Sequence, residues 1–224
     1  MRRTNDGVRV GGSWLAVASC LIIATLALHG PIAPDLGIQM NRVAGRSTVW
    51  AVSHWIAAAA FSSYAMAGLV ILTSGSRLTD AWWTNTAWAA MPVTALWTLT
   101  TAVAEATVVT NAAIAGNTEV FEAWWAFAAG KANGFAFLAL AVAVIAANEA
   151  GGARGATPAW AAWTAAVAGV VSFAGWAAGM WLEIALGSVF WLAASILMSV
   201  WTAWFGVALA RSSVSAGRTV GASG

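Results

Sequence analysis

The sequence predicts an all-α fold: a polytopic membrane protein built as a six-transmembrane-helix bundle with both termini cytoplasmic. Three observations carry this. The 224 residues are 61% hydrophobic and only 8% charged, with a mean hydropathy of +0.78, too little charge to cover a soluble surface. Apolar runs recur along the chain, and they approach or exceed the roughly 20 residues that a helix needs to cross a hydrocarbon core. The arginines fall in alternate connections between those runs, which sets the orientation of the whole.

Residues 1–12 are polar and hold Arg2, Arg3 and Arg9, a cytoplasmic N-terminal segment. The first helix is read over residues 13–33. A basic start ahead of an apolar run is also the pattern of a signal peptide, and Val17-Ala18-Ser19-Cys20 resembles a lipobox. The apolar run ahead of Cys20 is short for that, and it continues through Leu21-Ile22-Ile23 to Leu28. An uncleaved helix is therefore expected. Pro31 and Pro34 end it, and residues 34–48 read as the longest loop. The second helix covers 49–73, closed by the turn Ser74-Gly75-Ser76-Arg77.

The third helix is read over 87–113, with Pro92 as a site for a kink. The acidic connection Gly116-Asn117-Thr118-Glu119 leads to the fourth, over 121–147. A glycine-rich turn over 148–158 precedes the fifth, over 159–183. A tight turn at Gly187 precedes the sixth, over 188–210. The transmembrane domain thus spans 13–210, and 211–224 reads as a flexible cytoplasmic tail. Arg2, Arg3, Arg9, Arg77, Arg154, Arg211 and Arg218 share one side; only Arg42 and Arg46 fall on the other. That asymmetry places both termini in the cytoplasm. No internal repeat is evident, so an inverted-repeat transporter is not supported.

Sixteen tryptophans are read as an aromatic belt at the two interfaces: Trp82, Trp83, Trp160 and Trp204 inside, Trp50, Trp124, Trp125 and Trp181 outside. Gly130 and Gly134, and Gly175 and Gly179, form G-x-x-x-G pairs that let helices approach closely. Arginine almost replaces lysine and alanine is abundant, a composition of GC-rich prokaryotic genomes. The expected location is a prokaryotic plasma membrane, crossed many times.

Two ionisable residues stand out inside the apolar runs: Glu105 on the third and Lys131, the single lysine, on the fourth. A charge at that depth is costly and marks a functional site by default. The two runs are consecutive, so they should pack as an antiparallel hairpin and bring Glu105 and Lys131 to similar depth. Thr94, Thr98, Thr101 and Glu105 share one helical face. The sharper reading is an outward-facing polar cavity centred on Glu105 and Lys131, lined by Thr98, Thr101 and Asn133. It would bind or pass a small solute, ion or proton. The plainer reading has the threonine hydroxyls bonded back to their own helix.

His29 and His54 flank one loop at similar depth and suggest an alternative. Two imidazoles from neighbouring helices can ligate a b-type haem, with Arg42 and Arg46 pairing its propionates. That would make the chain a membrane redox subunit. Two histidines do not fill a zinc site, so no metal site is expected. A third reading is an accessory subunit of a larger complex, or a homo-oligomer, whose polar groups only lock helices together. The lone Cys20 can form neither an intrachain disulfide nor a cysteine cluster. No P-loop, triad or dinucleotide fingerprint occurs, and no basic, aromatic-interleaved patch suits nucleic acid. The lipid bilayer and an unidentified small ligand or ion are the partners that remain.

Overall fold

The computed structural model describes residues 2–33, 35–130, 134–152 and 155–211, apart from the side chains of residues 2–5, 129 and 130. The described residues are helical and contain no strand. Five helical runs are long and apolar enough to cross a membrane: Asp6–His29, Ser47–Thr73, Trp82–Ile114, Ala159–Trp181 and Ala185–Arg211. Phe135–Gly151 is apolar but shorter.

Helix α1 is Arg2–His29. It takes in residues that the sequence suggested were a separate polar segment. The reason is tertiary: the first turns are glycine-rich where they meet their neighbours. A Cβ on Gly7 would lie 2.9 Å from Ser74 Cβ, and one on Gly12 would lie 2.7 Å from the Gly206 carbonyl oxygen. Close packing on two partners holds a stretch whose own propensity is modest. The helix stops at Gly30, whose φ of +70° closes it in the left-handed conformation ahead of Pro31.

The expected loop over 34–48 contains a helix, α2, Leu36–Gly45. Asp35 caps it, its carboxylate accepting from Ile38 N at 2.8 Å. Gln39 is buried and accepts from Ala33 N at 3.0 Å, and the Arg42 guanidinium donates to the Pro31 carbonyl at 2.6 Å. The loop is thereby pinned across the end of α1.

Helix α3 is Ser47–Thr73 and α4 is Trp82–Ala104, with a 3-10 turn over Arg77–Thr79 between them. A π-turn over Glu105–Val109 links α4 to the short α5, Thr110–Ile114. Helix α6, Thr118–Trp125, opens on Asn117, whose side chain accepts from Val120 N. A second π-turn follows over Ala126–Gly130, and α7 is Phe135–Gly151. Helix α8, Ala159–Trp176, runs into a third π-turn over Ala177–Trp181, and α9 is Ala185–Arg211.

The long helices form a closed ring in which each packs on the next: α1, α3, α4, α7, α8, α9 and back to α1. Neighbours run antiparallel. On α1 and α3, Gly11 meets Ile71, Ser19 meets Tyr64 and Thr25 meets Ser53. Along α8 with its flanking turns and α9, Thr157 meets Trp201, Ser172 meets Ser195 and Gly179 meets Ser188. Between α1 and α9, Gly12 meets Gly206, while Ile32, just past the end of α1, meets Ser188. The expected hairpin of the third and fourth segments is present in the packing of α4 on α7, with Trp97 stacked on Phe137. The starts of α1 and ends of α9 therefore share one end of the ring, here the near end. His29, Trp50, Glu105 and Gly116 mark the far end.

Helices in lipid gain little from hydrophobic burial against each other, so small residues and hydrogen bonds carry the packing. A Cβ on Gly187 would sit 2.3 Å from Gly179 N, and one on Gly175 would sit 2.5 Å from Trp191 N. Buried hydroxyls pair across the same interfaces, Ser19 with Tyr64 at 2.9 Å and Ser172 with Ser195 at 2.8 Å. Of the expected belt, Trp82, Trp83, Trp124, Trp160, Trp181 and Trp204 are exposed on the outside of the bundle. Trp50 and Trp125 are not; both are buried inside it.

Candidate functional site

At the far end, three elements converge inside the ring. Helix α1 ends on His29, α3 brings Trp50 and His54 one turn apart, and the first π-turn begins at Glu105. Spacing of four residues stacks His54 over Trp50, with ring centroids 4.7 Å apart. His29 packs against both, 4.6 Å from Trp50 and 5.2 Å from His54. The π-turn places Glu105 where it can meet them, and its carbonyl accepts from the Thr110 hydroxyl at 2.7 Å. Such turns often mark functional positions in helices.

Glu105 is only 4% exposed. Its Oε2 accepts the indole N–H of Trp50 at 3.1 Å and lies 3.6 Å from His54 Nε2. The tautomer of His54 follows from its other nitrogen. Nδ1 is 2.8 Å from the Trp50 carbonyl, which can only accept, so the ring hydrogen is assigned to Nδ1. In a neutral ring Nε2 is then a lone pair that faces a carboxyl oxygen. One proton between the two groups suits both: as a carboxylic acid beside a neutral imidazole, or as a carboxylate beside an imidazolium. His29 follows the same rule. Its Nδ1 is 2.7 Å from the Gly30 carbonyl, which leaves Nε2 as its acceptor.

His29, His54 and Glu105 line a cavity of about 60 Å³, with Trp50 packed behind them. Thr98 and Thr101 line it too, but their hydroxyls donate to the Thr94 and Thr98 carbonyls at 2.7 and 2.8 Å. They satisfy their own helix, as the plainer sequence reading had it. Ile22, Leu26 and Phe61 give apolar walls. Trp176 and Trp191 complete the lining from α8 and α9 with rings 5.1 Å apart. Both are buried, and among the described residues neither indole N–H finds an acceptor. Two larger hollows, about 520 and 540 Å³, lie on the outside of the ring between α8 and α9 and between α4 and α7, among apolar side chains.

The structure merges two sites that the sequence kept apart. His29 and His54, grouped as haem ligands, and Glu105, grouped with Lys131, belong to one cluster. Lys131 and Asn133 lie outside the described residues; among the described residues the side-chain partners of Glu105 are Trp50 and His54. The haem reading meets a space problem. Pockets for ligands well short of a porphyrin in size run to about 300–1,000 Å³, and here both imidazoles pack on Trp50 around a much smaller hollow. Arg42 is engaged by Pro31, and Arg46 is exposed beyond the end of α2. Among the described residues, no group of three or more His, Cys, Asp or Glu is placed to hold a metal ion.

Sequence reasoning missed Trp50, Trp176 and Trp191 as members of the site. Trp50 carried a usable signal in its four-residue spacing from His54. Trp176 and Trp191 carried none, because only the ring closure of α8 and α9 onto α1 brings them in. Comparisons with protein-family models, with curated proteins and with solved structures return no match.

Proposed function

We propose that this chain is a small integral membrane protein that holds a proton, together with a small polar solute, in a cavity at the far end of the bundle. The observation that carries the reading is the pair Glu105 and His54, buried side by side, with the carboxyl Oε2 3.6 Å from the His54 Nε2 lone pair, so that a proton on either group faces the other. Burying one ionisable group in a membrane is expensive, and such groups mark proton and ion sites. The cavity beside the pair has room for about two waters or a solute of a few heavy atoms. Lys131, one segment along, is proposed as a further member of this site on its sequence position alone.

The proposed topology has six crossings, the fourth made by the segment from Thr118 to Gly151. Both termini are proposed to lie in the cytoplasm, because the near end carries Arg9, Arg77 and Arg211 while the far end carries Arg42 and Arg46. The cavity then lies toward the outer face, and a prokaryotic plasma membrane remains the proposed location.

The test is infrared difference spectroscopy on the purified protein in lipid. The carboxyl stretch of Glu105, identified by its loss in Glu105→Gln, is expected to change with pH and to shift in His54→Gln. A band indifferent to both would sink the proton reading. It would leave the role of an accessory subunit, in which Glu105, Trp50 and His54 only fasten α3 to α4.

A further inference from the structure

We infer that the cavity is a binding site for a small monocarboxylic acid, of the size of acetate, held by the indole N–H groups of Trp176 and Trp191. This rests on the reading above and names its solute. The starting point is hydrogen-bond bookkeeping. Buried N–H groups without an acceptor are rare, because each forfeits the full cost of leaving water. Among the described residues, the two tryptophans whose indole N–H lacks an acceptor both line this one hollow, from adjacent helices, with their rings 5.1 Å apart. Every other donor described at the site is engaged. Trp50 donates to Glu105, Nδ1 of each histidine donates to a carbonyl, and the Thr98 and Thr101 hydroxyls donate to their own helix.

A ligand that satisfies both indoles must therefore offer two acceptors. A carboxyl group does this with its two oxygens. It must also avoid bringing a bare charge into an apolar hollow. A carboxylic acid meets that condition, because it can enter with its proton and donate it to an acceptor of the site. The acceptor side is present: the hydrogen on Nδ1 leaves His29 Nε2 as a lone pair, and the Glu105 carboxyl and His54 Nε2 lie 3.6 Å apart in the same lining. The proton stays in the site whichever oxygen or nitrogen carries it, so nothing else is consumed. Ile22, Leu26 and Phe61 suit a methyl group, and a volume of about 60 Å³ suits a solute near acetate in size. Arg42, whose guanidinium holds the Pro31 carbonyl just beyond His29, contributes a positive field at that end.

The experiment is nitrogen–proton correlation NMR on the full chain in nanodiscs, labelled at the tryptophan indoles and titrated with sodium acetate. Trp176→Phe and Trp191→Phe assign the two signals. Acetate should move both downfield with saturation, with the remaining indoles nearly still, while butyrate at equal concentration moves neither. Trp191→Phe should weaken acetate by about tenfold, equivalent to about 1.4 kcal/mol. Signals that do not move, that move equally with sodium chloride, or that follow butyrate as well as acetate overturn the inference. The unaltered protein carries that comparison even where a variant fails to insert. Silent indoles beside a pH-sensitive Glu105 band remove the ligand assignment alone. A band that ignores pH removes the proton site beneath it.

Discussion

Glu105 owes its place to one neighbour more than to any other. The Trp50 indole donates to its Oε2 from the facing helix, and both groups are buried. Replacing Trp50 with Phe keeps most of the ring and leaves the carboxyl oxygen without its donor. We expect a loss of about 1–3 kcal/mol, read as a lower unfolding temperature in detergent. Glu105→Gln should be milder than Glu105→Ala, because a glutamine keeps an oxygen for Trp50 and gains an N–H for His54 Nε2. Equal losses in the two variants would mean that the pairing is not what holds the side chain. At this scale the sequence was half legible. Glu105, His29 and His54 could be singled out as rare ionisable residues in apolar surroundings, but their convergence could not. It depends on the π-turn at Glu105, which has no sequence signature, and on which way the three side chains face, which the prolines that end α1 do not reveal. Trp50 was misplaced for a related reason: tryptophan near a helix end reads as an interface residue unless its ring is known to point inward.

The helices themselves were the most legible level, and their ends the least. Apolar runs located the five helices long enough to cross a membrane, yet α1 begins well before its expected start and α2 occupies an expected loop. Packing extends the first and side-chain caps build the second, and hydropathy registers neither. The contact of α8 with α9 shows how tightly packing constrains an element. Gly187→Ala would push a Cβ to 2.3 Å from Gly179 N. It should cost about 1–3 kcal/mol as overpacking, seen as a drop in unfolding temperature. Gly45→Ala, at the end of α2 with nothing near its Cβ, should instead be neutral or stabilising by up to about 1 kcal/mol. A Gly187→Ala protein as stable as the parent would show that α8 and α9 can separate at little cost.

At the scale of the molecule, the antiparallel ring makes sidedness testable at single positions. With Cys20 replaced by Ser, a cysteine at Ala115 on the far end should react with a membrane-impermeant maleimide added to intact cells. A cysteine at Asp80 on the near end should react only after lysis; both positions are exposed. The opposite pattern would invert the orientation drawn from the arginines. What the sequence could not convey is that the ring closes, since closure joins the first helix to the last and no local pattern records it. That closure has a topological corollary. Gly12 on α1 lies against Gly206 on α9, so the order in which the chain visits its helices is not fixed by their packing. Joining the two ends with a flexible peptide and cutting the chain at Gly75 should give a circularly permuted protein. Every helix would keep its neighbours and its direction across the membrane, because the cut and the join lie at the same end. Such a permutant should insert and unfold at nearly the parental temperature. Failure to insert would show that α1 must enter the membrane first, making the order of synthesis, rather than the finished packing, the constraint on this sequence.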